Sequence, residues 1–107
     1  MNVWGTNDRI IPADGSLSSD GYWYTPVDDV MDAWGSSQGC DAIATPYMTV
    51  SDGIRGWACT QRADCATGAE VVSCSWLSHH WWPKMEKLEW KAFGNDAIWQ
   101  FLSKNSK

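Results

Sequence analysis

Asp8 and the His79-His80 dipeptide are the residues whose types and order suit acid–base chemistry. Asp8 follows a short apolar stretch, Asn2-Val3-Trp4, and a Gly5-Thr6 turn. His80 follows a later strand-like segment and precedes Trp81-Trp82-Pro83. A carboxylate after one strand and an imidazole after a later one can act as a unit. The imidazole takes a proton from a hydroxyl nucleophile, while the carboxylate fixes the ring tautomer and stabilises the imidazolium. In that arrangement the histidine is the general base and Asp8 the orienting acid. The plainer reading of the same residues is a turn-capping aspartate and a partly buried histidine whose ring is satisfied.

Several elements must position this pair. Asn2–Trp4 is a strand stub. Thr25 followed by Pro26 predicts a helix start, with Thr25 as N-cap and Pro26 at the first helical position. Asp28 and Asp29 then fall in the first turn, where the helix dipole favours negative charge. Val27, Val30, Met31 and Trp34 are spaced to form one apolar face, and Gly35 and Gly39 are expected to end the helix. Residues 41–53 read as loop, with room for a short strand at Tyr47–Val50. Residues 54–60 and 69–77 read as two strands about the turn 63–68. Residues 78–87 are expected to be loop, and 84–91 alternate in charge and read as surface. A last helix is expected over Asn95–Leu102, capped by Asn95, with Ile98, Phe101 and Leu102 apolar.

The four cysteines, Cys40, Cys59, Cys65 and Cys74, lie in the middle of the chain. An even set in a small loop-rich stretch predicts disulfides and an oxidising compartment. No C-x2-C pair is present to favour zinc. If the two central strands pair as a hairpin, Cys59 and Cys74 face one another, which leaves Cys40 with Cys65. Four cysteines allow three patterns, so spacing alone leaves the connectivity open.

Composition narrows the partners. The 107 residues suit one domain, and 44% are hydrophobic, enough to bury a core. The net charge of −5 argues against non-specific nucleic-acid binding, which depends on Lys and Arg displacing counterions. No apolar run approaches the ~20 residues of a membrane-spanning helix. Residues 1–83 hold ten acids and three bases; residues 84–107 hold three acids and five bases. Asp14, Asp20, Asp28, Asp29 and Asp32 form no D-x-[DN]-x-[DN]-G loop, so a solvated face is expected instead of a calcium site. His79 and His80 are adjacent on an extended loop and would point apart, so no metal site is expected. The start, Met1-Asn2-Val3-Trp4-Gly5, has no charged or apolar leader region. That sits badly with an oxidising address, so the chain is expected to be an internal part of a longer protein or a fragment.

Taken in order, five segments resemble the polyhydroxybutyrate depolymerase / feruloyl esterase-like family of secreted α/β-hydrolases. Gly5-Thr6-Asn7-Asp8-Arg9-Ile10-Ile11-Pro12 is similar to the G-T-x-D-x-x-V-P segment around the family's triad acid. Trp34…Gly39-Cys40 resembles W-x-x-x-x-G-C. Asp64-Cys65…Gly68-Ala69-Glu70-Val71-Val72 resembles the C-x-x-G-x-x-V entry to a strand. Ser78-His79-His80-Trp81-Trp82-Pro83 resembles G-G-H-x-W-P, and Asp96–Leu102 resembles the closing helix with its I-W-x-F. His79 stands where the family has a glycine, and Lys84 where it often has one.

The resemblance implies a fold and a function. The fold class expected is α/β: residues 1–107 as the C-terminal fragment of an α/β-hydrolase domain, with a strand stub, a helix, an inserted disulfide-bonded β-hairpin and a final helix in a mainly parallel sheet. With the rest of that sheet missing, the chain would expose an unpaired edge and be marginally stable alone. The function implied is that of a secreted serine esterase acting on carboxylic esters, with catalytic Asp8 and His80; by position in the motif His80, not His79, would be the general base and Asp8 the acid that orients it. Tyr22, Trp23, Trp81 and Trp82 would line the substrate cleft. No cofactor is implied. The nucleophile is not expected here. Gly35-Ser36-Ser37-Gln38-Gly39 matches G-x-S-x-G, but it follows a helix and comes after the acid, against the required strand-to-helix turn and chain order. An ester substrate is therefore expected only when the chain is joined to a nucleophile-bearing segment. The alternative is a Trp-rich, disulfide-bonded carbohydrate- or polymer-binding module, in which Tyr22, Trp23, Tyr24, Trp81, Trp82 and Trp90 offer stacking surface.

Overall fold

Residues 1–80 and 93–106 are described by a computed structural model. The elements are β1 (Asn2–Gly5), α1 (Val27–Gln38), β2 (Ala44–Pro46), β3 (Ala58–Arg62), β4 (Val71–Trp76) and α2 (Phe93–Asn105). The strands form one mixed sheet in the order β1-β4-β3-β2. β1 runs parallel to β4, while β3 is antiparallel to both β4 and β2.

Strand alternation gives the sheet two unlike faces. One carries Val3, Cys59, Val72, Cys74 and Trp76. It packs on Phe93 and Ala97 of α2, and this is the hydrophobic core, with Val72, Cys74 and Ala97 at 0% exposure. Phe93 meets Trp57 and Trp76 edge-on, at centroid distances of 5.5 and 5.0 Å. The other face carries Trp4, Thr60, Arg62, Ser73 and Ser75 and lies under α1, which contributes the buried Met31 and Gly35. Gly35 does not end the helix. A Cβ there would stand 3.1 Å from Arg62 Cγ, so the glycine lets α1 approach β3. Gly39 does end it, in the left-handed region at φ 68°. The Gly39 and Cys40 N–H groups bond back to Ser36 and Gly35 carbonyls at 3.1 and 2.8 Å, the Schellman pattern. At the other end Pro26, not Thr25, occupies the cap, and no side chain caps the helix.

The expected fragment of an α/β-hydrolase is not the fold. Its named pieces are present, but they form a four-stranded mixed sheet in which two of the three pairings are antiparallel. The disulfide-bonded hairpin is not an insertion. β3 and β4 pair antiparallel through the connection that joins them, and they are the centre of the sheet because β1 pairs on the outer side of β4 and β2 on that of β3. β2 then extends the sheet at Ala44–Pro46, ahead of the expected Tyr47–Val50. Residues 49–52 instead turn, with the Thr49 hydroxyl accepting the Trp57 indole N–H at 2.9 Å. The β3 strand starts at Ala58, because Ile54–Trp57 is closed by a Trp57 N–H to Ile54 carbonyl bond of 3.0 Å. In α2 the buried face is Phe93, Ala97 and the partly buried Phe101, whereas Leu102 is exposed.

Both disulfides are formed. Cys59 and Cys74 are direct cross-strand partners, and Cys40–Cys65 ties the end of α1 to the β3–β4 turn. They are compatible with an oxidising compartment. Among the described residues no helix is long and apolar enough to cross a membrane.

Candidate functional site

β1 and β4 are parallel, so their C-terminal ends leave at the same end of the sheet. The loop after β1 holds Asp8 and the loop after β4 holds His80. The two loops are laced by backbone bonds. Thr6 N–H donates to the Trp76 carbonyl and Asn7 N–H to the Ser78 carbonyl, both at 2.9 Å. The His79 ring adds a 3.1 Å contact from Nδ1 to the Asn7 carbonyl. Gly5 makes the approach possible. A Cβ at that position would collide with the backbone carbonyl oxygens of Ser78 and His79.

Asp8 and His80 meet at this crossing. His80 Nδ1 lies 2.7 Å from Asp8 Oδ2. The other carboxylate oxygen, Oδ1, accepts the N–H groups of Ile10 and Ile11 at 2.8 and 2.9 Å. The loop carrying these donors is braced in turn, with the Ser18 hydroxyl donating to the Ile10 carbonyl at 2.7 Å. The Asp8 side chain is 11% exposed and that of His80 is 48% exposed. Burial by itself raises the Asp8 pKa. The Ile11 N–H, the His80 ring, the Ile10 N–H and the His80 charge together outweigh it, so the carboxyl is held below its ordinary value. The result is a fixed, ionised carboxylate that orients one imidazole through Nδ1. Among the described residues no hydrogen-bond partner meets the other ring nitrogen, Nε2.

A cavity of about 580 Å³ opens beside Asp8, lined among others by Trp4, Thr6, Asn7, Asp8, Asp28 and His79. His80, Tyr22 and Trp23 do not line it. Tyr22 and Trp23 instead project from a small hairpin loop, closed by a Leu17–Trp23 bridge, and are 66% and 72% exposed. Trp81, Trp82 and Trp90 lie outside the described residues. Gly35-Ser36-Ser37-Gln38-Gly39 occupies the last turn of α1 and its left-handed end, so it is not a strand-to-helix elbow. No cluster of three or more His, Cys, Asp or Glu able to hold a metal occurs among the described residues.

Sequence reasoning singled out Asp8 and His80 but missed their supports. Ile10 and Ile11 act through backbone N–H groups, to which side-chain pattern is blind. An Asp at the head of a loop, bonding N–H groups two and three residues on, is nevertheless a recurrent turn device and was open to detection. Compared with family models, curated proteins and solved structures, the chain matches none.

Proposed function

We propose that Asp8 and His80 are the acid–base half of a serine esterase acting on carboxylic esters, the nucleophilic serine coming from a segment outside this chain. One observation carries the reading: the 2.7 Å contact from Asp8 to His80 Nδ1, made by a carboxylate whose second oxygen is held by two backbone N–H groups. A carboxylate on Nδ1 selects the tautomer whose lone pair lies on Nε2. Nε2 then takes the serine proton as the serine oxygen attacks the ester carbonyl. It returns that proton to the departing alkoxide, leaving an acyl-enzyme for water to hydrolyse. The segments around both residues resemble polyhydroxybutyrate depolymerases and feruloyl esterases, which supports the ester class. Secretion agrees with the two disulfides. A second reading, a carbohydrate- or polymer-binding module, draws on the exposed aromatic pair Tyr22 and Trp23.

The test uses the protein produced from the full open reading frame that contains this chain. The expected result is a serine labelled by a fluorophosphonate and hydrolysis of p-nitrophenyl butyrate. Asp8→Asn and His80→Asn should each lower kcat by about 10³–10⁴. An unlabelled protein, or a His80→Asn variant that turns over like the parent, would overturn the reading.

A further inference from the structure

His79 and His80 are consecutive, and each reaches the loop after β1 through its ring Nδ1. His80 takes the Asp8 carboxylate at 2.7 Å. His79 takes the carbonyl oxygen of Asn7, one residue earlier, at 3.1 Å. The two contacts are successive rungs, 79 with 7 and 80 with 8. A carbonyl only accepts, so Nδ1 of His79 carries the proton in this contact. Charging the ring adds a proton at Nε2 and leaves that donor in place.

What this bond holds is the peptide unit between Asn7 and Asp8. A peptide unit is planar, so its carbonyl and its N–H turn together as one plate. The N–H of the plate belongs to Asp8 and donates to the Gly5 carbonyl at 3.3 Å, which closes a tight turn over residues 5–8. The His79 ring holds the opposite edge, at the carbonyl. That carbonyl has no other hydrogen-bond partner among the described residues. Turning the plate changes φ at Asp8, and with it the direction in which the side chain leaves the backbone. A hydrogen bond weakens steeply as its distance and angle depart from the optimum, so the Asp8–His80 contact depends on that direction. One dipeptide therefore grips Asp8 twice: His79 fixes the backbone from which the carboxylate departs, and His80 receives the carboxylate.

We propose that His79 is a positioning residue for the Asp8–His80 pair. The inference rests on the acid–base role given to that pair above. His79 acts through the Asn7–Asp8 peptide and not on the reacting atoms. The resemblance assigns it no role, because a glycine stands at its place in G-G-H-x-W-P. With glycine there, the plate would be held at its N–H alone.

The experiment takes the protein produced from the full open reading frame, with its histidine rings labelled with ¹⁵N, and follows solvent exchange of the His80 Nδ1 proton. His79→Ala should speed that exchange about three- to tenfold, the worth of one ordinary hydrogen bond. It should lower kcat for p-nitrophenyl butyrate by a similar factor and leave KM unchanged. His79→Phe keeps a ring without a donor and should behave like His79→Ala. His79→Asn offers an amide N–H in place of Nδ1–H and should return both readouts to within about twofold of the parent. An unchanged His80 proton in His79→Ala would overturn the proposal, as would a His79→Asn variant no better than His79→Ala. A parent that cleaves no ester would sink the esterase reading instead, and exchange of the His80 proton would still decide what His79 does.

Discussion

The two ends of the sheet are held by different forces. Where β3 turns into β4, the Cys40–Cys65 disulfide ties α1 to the turn, and the buried Arg62 pairs with Asp32. Where β1 and β4 run out, the loops are joined by hydrogen bonds alone: backbone bonds from Thr6 and Asn7, the His79 contact, and the Asp8–His80 pair. The first end is locked by a covalent bond, with an ion pair beside it. The second has no covalent tie and is joined in part by the Asp8–His80 pair, whose strength follows the ionisation of Asp8. The proposed acid–base pair therefore sits at the end without a covalent tie, on a scaffold locked at the other.

This contrast can be broken at either end. The largest effect is expected at the covalent one. Replacing Cys40 and Cys65 by Ala releases a closure spanning 25 residues and should cost about 3 kcal/mol in urea unfolding. The Asp8–His80 contact should survive, as read from the His80 ring resonances. If those resonances change as much as the α1 signals do, the two ends are not independent.

Gly5→Ala attacks the other end. The added methyl would collide with the Ser78 and His79 carbonyls and push the His80 loop from Asp8. A loss of about 1–3 kcal/mol is expected, typical of an overpacked contact, with the α1 resonances unmoved. An unchanged His80 environment in this variant would show that the loops do not need the glycine.

Asp8→Asn is milder and carries a pH signature. The Asp8 carboxyl is held below its ordinary value in the folded chain, so the folded state binds its proton less readily than the unfolded one. Its contribution is therefore present above the ordinary carboxylate range and lost as pH falls through the folded pKa. The parent should exceed the variant by about 1–2 kcal/mol near pH 6, with the gap closing toward pH 2. A gap independent of pH would contradict an ionised Asp8.

The smallest effect is expected at a clamp distant from both ends. Glu70 receives Lys104 at 2.5 Å and the Asn105 amide at 2.6 Å, fastening the end of α2. Burial pushes the Glu70 carboxyl up, and the Lys104 and Asn105 bonds outweigh it, so it too is held low. The Lys104 side chain is largely in solvent, so Glu70→Gln should cost only about 0.2–1 kcal/mol, less at high salt.

Local pattern predicted local structure well and the sheet poorly. The turn at 63–68 between two strand-like runs placed Cys59 opposite Cys74, and the hairpin has that register. The apolar spacing of Val27, Val30, Met31 and Trp34 marked α1, though Trp34 proves 46% exposed and the close contact to β3 is made by Gly35, a residue without apolar side chain. β2 was hard to see because Ala44-Thr45-Pro46 has no alternating pattern and all three residues are exposed. The mixed order of the sheet was misread because strand direction is set by which strands meet in space, and resemblance of short segments does not carry that information. At the candidate site, side chains were legible and backbone donors were not. Asp8 and His80 stood out by type, while Gly5 contributes a missing atom and Ile10 and Ile11 contribute N–H groups shared by nearly every residue.

The parallel pairing of β1 with β4 also sets an order of assembly. Val3 is opposite Cys74, across most of the chain, whereas β3 and β4 are joined by a short turn. Closing a long loop costs more entropy than closing a short one, and the contact that rewards it is worth nothing until its partner strand exists. The hairpin should therefore form first and the N-terminal strand should zip onto it last. Mutations at Val3 would then speed unfolding and leave folding unslowed, while mutations at Thr60 or Ser73 would slow folding. Asp8 and His80 come together only in that final step, so the imidazole gains its orienting carboxylate only once the chain has finished folding.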